Sequence, residues 1–247
     1  MRRPGWSEDG LYLALDTSGP TGFVAVGRGG DVHAQARMER RGQHAARIIG
    51  SVRRVLEDAS VDVGELSGII VGEGPGSFTG VRVAAATAKG MAHALRIPLW
   101  AVSSLAAAAV GDLGSGRAGV RYVLFDARGD RVYGACYGVG SRGIETLVPP
   151  SAGDLRSILA SDLPSGAEFA GDGAERHREA IESYGFRVMS PPIGEPSGEA
   201  LLHLLRIHAD LPPVADPATW EPRYVKASSA EREWVAAGGR GRKGSAE

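Results

Sequence analysis

Tyr12-Leu13-Ala14-Leu15-Asp16 returns 110 residues later as Tyr122-Val123-Leu124-Phe125-Asp126. Each copy is a short apolar run closed by an aspartate, the pattern of a buried strand that ends in a turn. Beyond the first copy, residues 23–26 and 32–38 read as two further strands around the turn Arg28-Gly29-Gly30-Asp31. From Gln43 the period changes: Ala45, Ile48, Val52, Val55 and Ala59 recur at helical spacing. Residues 66–71 return to a buried-strand pattern, and Gly74-Pro75-Gly76-Ser77-Phe78-Thr79-Gly80-Val81-Arg82 then leads into a helical composition as far as Leu95. Beyond the second copy come strands over 132–139 and 144–148, a helix over 154–160, the strand residues Phe169-Ala170, and a helix over 174–184. The same order of elements occurs twice. A period this long implies two related lobes, because solenoid repeats run to roughly 20–50 residues.

The expected division is a flexible extension at 1–10, an N-terminal lobe over 11–105, a C-terminal lobe over 106–222, and a largely flexible tail from 223 to 247. Pro98 stops the second helix, and residues 96–119 connect the lobes through an alanine-rich helix over 103–110. Residues 197–209 form a late amphipathic helix with Leu201, Leu204, Leu205 and His208 at compatible spacing. Past Leu211 the chain is rich in proline, and the glycine-arginine run at 238–245 reads as solvated.

The formal net charge of −1 gives no global reason for nucleic-acid binding. One cysteine, Cys136, rules out an intrachain disulfide and a cysteine metal cluster, and its apolar neighbours suggest an inert buried thiol. No apolar run approaches the roughly 20 residues of a membrane span, and residues 1–10 lack the apolar core of a signal peptide. The expected location is the cytoplasm.

The glycine stretch looks like a phosphate loop and fails as one. Gly80 is followed by Val81 and Arg82, where a Walker loop needs lysine and a hydroxyl, and no G-x-G-x-x-G threads through residues 72–80. Gly74 and Gly76 permit a tight turn, with Ser77 or Thr79 capping the helix. In that helix Gly80, Ala84 and Ala88 stand four apart on a shallow face. Such a face suits close approach by a partner helix and equally well burial within one chain. The six histidines include no pair spaced for one helix face, and H-E-x-x-H is absent. That disfavours a metalloprotease. Asp16, with Thr17 and Ser18, and Asp172 between two glycines are the remaining candidates for nucleotide or magnesium contact; aspartates in such places also make turns through their own backbone.

These residues resemble a family. The strand ending Leu15-Asp16-Thr17-Ser18, the run from Gly74 through Pro98, Val102-Ser103-Ser104-Leu105, and Asp126-Ala127-Arg128 with Val132-Tyr133 closely resemble the TsaB (YeaZ) family, over roughly residues 11–190. The resemblance implies an actin-like, Hsp70-like α/β fold of two ribonuclease-H-like lobes. It implies a non-catalytic subunit of the machinery that makes threonylcarbamoyladenosine in tRNA, pairing with the catalytic subunit TsaD and joined by the ATPase TsaE. A homodimer is implied for the chain alone, with tRNA met only through the complex and no membrane. The implied interface lies on the helices at 43–57 and 77–95, and the residues assigned to it are Gln43, Arg47, Ile48, Phe78, Gly80, Val81, Ala84, Ala88 and Met91. No intrinsic cofactor is implied; ATP or ADP with magnesium is expected at the level of the complex. A stand-alone actin-fold ATPase or kinase is the alternative, and a metalloprotease a weaker one.

Overall fold

The structure, a computed structural model, describes residues 5–39, 44–111, 118–141, 143–191 and 193–223. The first half runs β1 (Leu11–Asp16), β2 (Gly22–Arg28), β3 (Asp31–Met38), α1 (His44–Asp58), β4 (Gly68–Gly72), α2 (Phe78–Leu95), β5 (Leu99–Val102) and α3 (Ser104–Ala109). The second runs β6 (Gly119–Asp126), β7 (Arg131–Gly140), β8 (Gly143–Asp154), α4 (Leu155–Leu159), β9 (Ala167–Ala170), α5 (Asp172–Arg176) and α6 (Arg178–Ser183), and α7 (Gly198–Ile207) follows.

The repeat in the sequence is a repeat in topology. One sheet has the order β3-β2-β1-β4-β5 and the other β8-β7-β6-β9. In each, the strand that ends in aspartate pairs antiparallel with the next strand and parallel with a later one. This is the actin-like two-lobe α/β fold. The copies differ in their helices: α1 and α2 have 15 and 18 residues, while α4 and α5 have five each.

Both faces of β1 are buried, which is why it reads as an unbroken apolar run. Leu11, Leu13 and Leu15 join Ile69, Val71, Ile48, Val52, Val55, Ala84 and Ala88 in a core beneath α1 and α2. Tyr12 and Ala14 face the other way, toward Ile70, Trp100 and the α7 residues Leu201, Leu202, Leu204 and Leu205. On the second sheet, Tyr122 and Leu124 pack with Phe169, Ala174 and Ile181, and Val123 and Phe125 pack with Leu105, Ala108 and Ala109 of α3. The fully buried Arg121 reaches the carbonyl of Ala109 at the C-terminal end of α3 with Nη1, where a cation complements the helix dipole.

Several expectations need correction. The helix at 197–209 was placed in the C-terminal lobe, yet α7 covers the inner face of the first sheet. The segment Leu99–Val102 is a four-residue parallel strand, β5, rather than part of a connector. The single helix at 174–184 is two short ones, broken at His177 with φ −111°. Within the supposed flexible extension, Trp6 packs on the second core and Ser7 N–H donates to Tyr12 Oη at 2.7 Å. The proline-rich stretch past Leu211 is a strap. Val214 N–H donates to Leu99 O, Trp100 Nε1 to Leu211 O, and Lys89 Nζ to the carbonyls of Ala218 and Trp220. The tail expected to be flexible lies, beyond Arg223, outside the described residues.

Candidate functional site

The glycine stretch docks on the corner that ends β1. Thr17 Oγ1 donates to Gly80 O at 2.5 Å, and Ser77 N–H donates to Ser18 O at 2.7 Å. A Cβ at Gly80 would overlap the Thr17 carbonyl oxygen, and one at Gly76 would overlap that of Ser18. Glycine is needed at both positions for backbone to meet backbone. Four amides of the stretch, those of Gly74, Ser77, Gly80 and Val81, are spent inside the protein. Gly74 N–H donates to Ser104 Oγ (3.0 Å), Gly80 N–H to Ser77 Oγ (3.3 Å), and Val81 N–H to Ser77 O (2.8 Å). A phosphate cradle requires such donors to point outward. These do not.

Asp16, Thr17 and Ser18 are buried to 1% exposure or less. Asp16 Oδ1 accepts from Ser18 N–H at 2.7 Å, the aspartate turn that was its other reading. Asp126 repeats it, accepting from Arg128 N–H at 2.8 Å, with Arg176 paired to its second oxygen at 3.1 Å. Asp16 Oδ2 and Ser18 Oγ have no partner of ordinary hydrogen-bond geometry. Burial pushes the Asp16 carboxyl above its usual range, eased by the neighbouring Ser18 and Ser104 groups and by the charge of His44. His44, the first residue of α1 and 4% exposed, is pushed below the usual histidine range by burial, against the pull of the carbonyls of Met38 and Pro20 and the Asp16 charge. Burial raises the Cys136 thiol to about 11, so the thiol is inert.

Asp172 stands apart from that corner. Its Oδ1 accepts from Asp126 N–H at 3.2 Å, and it lines a cavity of about 170 Å³ between the lobes. Asp16, Thr17 and Ser18 are not among the cavity's lining residues, so the four candidates do not form one accessible site.

The α1–α2 pair offers a different kind of surface. Gly80, Val81, Ala84 and Ala88 are at most 2% exposed or buried against β1 and the core, and Ile48 is 2% exposed. The shallow face of α2 therefore turns inward, the core reading of the two the sequence allowed. Arg47 and Phe78 are exposed, Met91 is half-buried, and Gln43 lies outside the described residues. The outward surface carries Phe78, 42% exposed, and Ile49, 61% exposed, which sequence reasoning passed over. A Cβ at Gly50 or at Gly90 would meet nothing within 4 Å. Ala86, Gly90 and Ala94 are exposed and also stand four apart, two positions on from Ala84 and Ala88. In so alanine-rich a helix, small residues mark two faces at once. The missing signal was which apolar neighbours the sheet would claim. The Arg82 guanidinium lies 5.1 Å over the Phe78 ring, which keeps that ring at the surface.

Comparison with known proteins gives a consistent set of likenesses. The family model described as "TsaD: tRNA N6-adenosine threonylcarbamoyltransferase" matches residues 39–188. The tRNA threonylcarbamoyladenosine biosynthesis protein TsaB of Bacillus subtilis is 31% identical over 234 residues, covering 90% of this chain and 97% of that protein. The TsaB of Escherichia coli is 33% identical over 132 residues, 53% of this chain and 57% of its own. The solved structure of YeaZ from Pseudomonas aeruginosa superposes with a TM-score of 0.70 at 29% identity, over 87% of this chain and 99% of that one.

Proposed function

The chain belongs to the TsaB family of tRNA threonylcarbamoyladenosine biosynthesis proteins, and on that premise we propose that it is a non-catalytic scaffold whose α1–α2 face pairs with a TsaD subunit in the cytoplasm. The observation that carries this reading is the outward face of the two helices. It presents Ile49 at 61% exposure and the ring of Phe78 beside open glycines at 50 and 90. Large apolar side chains next to positions without side chains let a facing helix come close and bury them.

Scaffolding without catalysis agrees with the chemistry of the interior. Asp16 and Asp126 each accept from their own turn, and four amides of the glycine stretch donate within the chain. Among the described residues no group of three or more histidine, cysteine, aspartate or glutamate side chains could hold a metal ion, and no helix is long and apolar enough to cross a membrane. Nucleotide and magnesium then act on the assembled complex, TsaE joins once TsaD is bound, and tRNA is met through the complex. The same face accounts for a homodimer when TsaD is missing.

Substitutions on the outward face test the reading. Ile49→Glu and Gly90→Arg are expected to leave the circular dichroism spectrum of the folded chain unchanged and not to lower its denaturation midpoint, since both sites are open, and to abolish co-purification with TsaD. Undiminished co-purification of both variants would overturn the proposed face.

A further inference from the structure

We propose, resting on the scaffold reading, that the α1–α2 face is a cationic docking surface met by carboxylates of the partner, and that its charge favours such a partner over a second copy of this chain. Helices α1 and α2 hold five basic side chains against two carboxylates, an excess of three on a chain whose formal net charge is −1. Both carboxylates are matched within α1: Glu57 lies 2.7 Å from Arg53 and Asp58 3.5 Å from Arg54. Helix α2 has neither aspartate nor glutamate. Among the described residues Arg47 and Arg82 have no ion-pair partner. Lys89 donates to the strap carbonyls of Ala218 and Trp220, which leave its charge uncompensated.

These cations stand beside the openings a facing helix uses. Arg47 lies three residues before the open Gly50, a helical neighbour, and Arg82 heads the exposed stripe Arg82, Ala86, Gly90, each four apart. The Arg82 guanidinium lies 5.1 Å over the Phe78 ring, so a partner that buries the ring covers the charge with it. Arg96, which caps α2, adds a further exposed cation at its end. Covering a guanidinium without supplying an acceptor leaves a desolvated charge unpaired, so a tight partner brings carboxylates to these places. A second copy brings the opposite. An isologous pair sets each patch against itself, and an excess of three positive charges then meets another. Phosphates of a nucleic acid would satisfy the cations but leave Ile49 and Phe78 uncovered, whereas acidic side chains on a facing helix satisfy both.

Opposite salt dependences separate the two pairings. Dissociation constants are measured for the full chain alone by sedimentation equilibrium and with TsaD by calorimetry, at about 0.02 M and about 0.3 M sodium chloride. Raising the salt is expected to weaken the TsaD pair at least about tenfold and to tighten self-association at least about threefold. Arg47→Gln with Arg82→Gln, both at exposed positions, is expected to keep the parent's circular dichroism spectrum. The same pair is expected to weaken TsaD binding at low salt at least about tenfold, to strengthen self-association and to flatten both salt slopes. Arg131→Gln with Arg156→Gln removes equal charge from exposed positions of the second lobe and is expected to change neither equilibrium. Equal effects from the two pairs of substitutions, a TsaD pair indifferent to salt or strengthened by it, or self-association weakened by salt would overturn the charge pairing and leave the face standing. TsaD binding that survives Ile49→Glu and Gly90→Arg would move the partner off the face and overturn both readings. Binding of tRNA to the chain alone that competes with TsaD and is lost in Arg47→Gln with Arg82→Gln would assign the cations to phosphates and overturn the charge pairing equally.

Discussion

At the scale of single residues, two glycines on one helix separate interior from surface. Gly80 sits under the Thr17 carbonyl oxygen, so Gly80→Ala forces backbone apart and is expected to cost about 1–3 kcal/mol in urea denaturation. Gly90 has open space in a helix interior, so Gly90→Ala is expected to stabilise by about 0.5–1 kcal/mol. Equal effects would contradict the inward orientation of the Gly80–Ala84–Ala88 face. Asp16 supplies a test of its structural role through pH. Its carboxyl is raised above 3.8, chiefly by burial, so the folded state holds that proton more tightly than the unfolded chain. The stability this contributes is present below the unfolded value and is lost as pH rises through the folded one. Asp16→Asn keeps the acceptor for Ser18 N–H and removes the buried charge. It is expected to exceed the parent in stability at neutral pH and to lose the advantage below about pH 4. An unfolded or destabilised Asp16→Asn at neutral pH would contradict this. His44 works with the opposite sign. Held below 6.5 by burial, it contributes above that value and its contribution is lost as pH falls through the lowered one.

Among the elements, those read best from the sequence are the ones whose burial is complete and periodic. β1, β4 and the Tyr122–Phe125 stretch of β6 are apolar runs buried on both faces, and α1 shows its buried stripe at Ile48, Val52 and Val55. β5 was illegible because four residues carry too little alternation to stand out from a connector, and its role comes from pairing with β4. The direction of the small face of α2 was illegible for a different reason. Alanine and glycine fit a close-packed core and a close-packed interface equally well, so only the position of the sheet distinguishes them. The Asp16 corner was legible as a turn or as a ligand site. The structure shows the turn, through the Ser18 N–H bond to Asp16 Oδ1, and buries the corner, with Asp16 Oδ2 left without a hydrogen-bond partner.

For the whole molecule, the 110-residue echo was enough to give two lobes, while the path of the C-terminus needed the structure. Helix α7 follows the second lobe in sequence and buries Leu201, Leu202, Leu204 and Leu205 on the first. The strap then reaches Arg223, whose amide donates to Glu73 O beside the glycine turn. Truncation after residue 197 is therefore expected to unfold the N-terminal lobe rather than trim the C-terminal one, seen as loss of a cooperative thermal transition. A truncated chain that retains the parent's transition would contradict that path. Helix α7 and the strap thus brace the first sheet behind the α1–α2 face, and the central claim is that this face makes the chain an obligatory scaffold. The most direct measurement is formation of threonylcarbamoyladenosine on tRNA by TsaD and TsaE, with a TsaC-type enzyme supplying threonylcarbamoyl-adenylate, with no added chain, with the parent chain, or with the folded Ile49→Glu/Gly90→Arg double variant. The expected result is modification with the parent, and at least about tenfold less without it or with the double variant. Full modification with the folded double variant, or with no chain at all, would contradict the account.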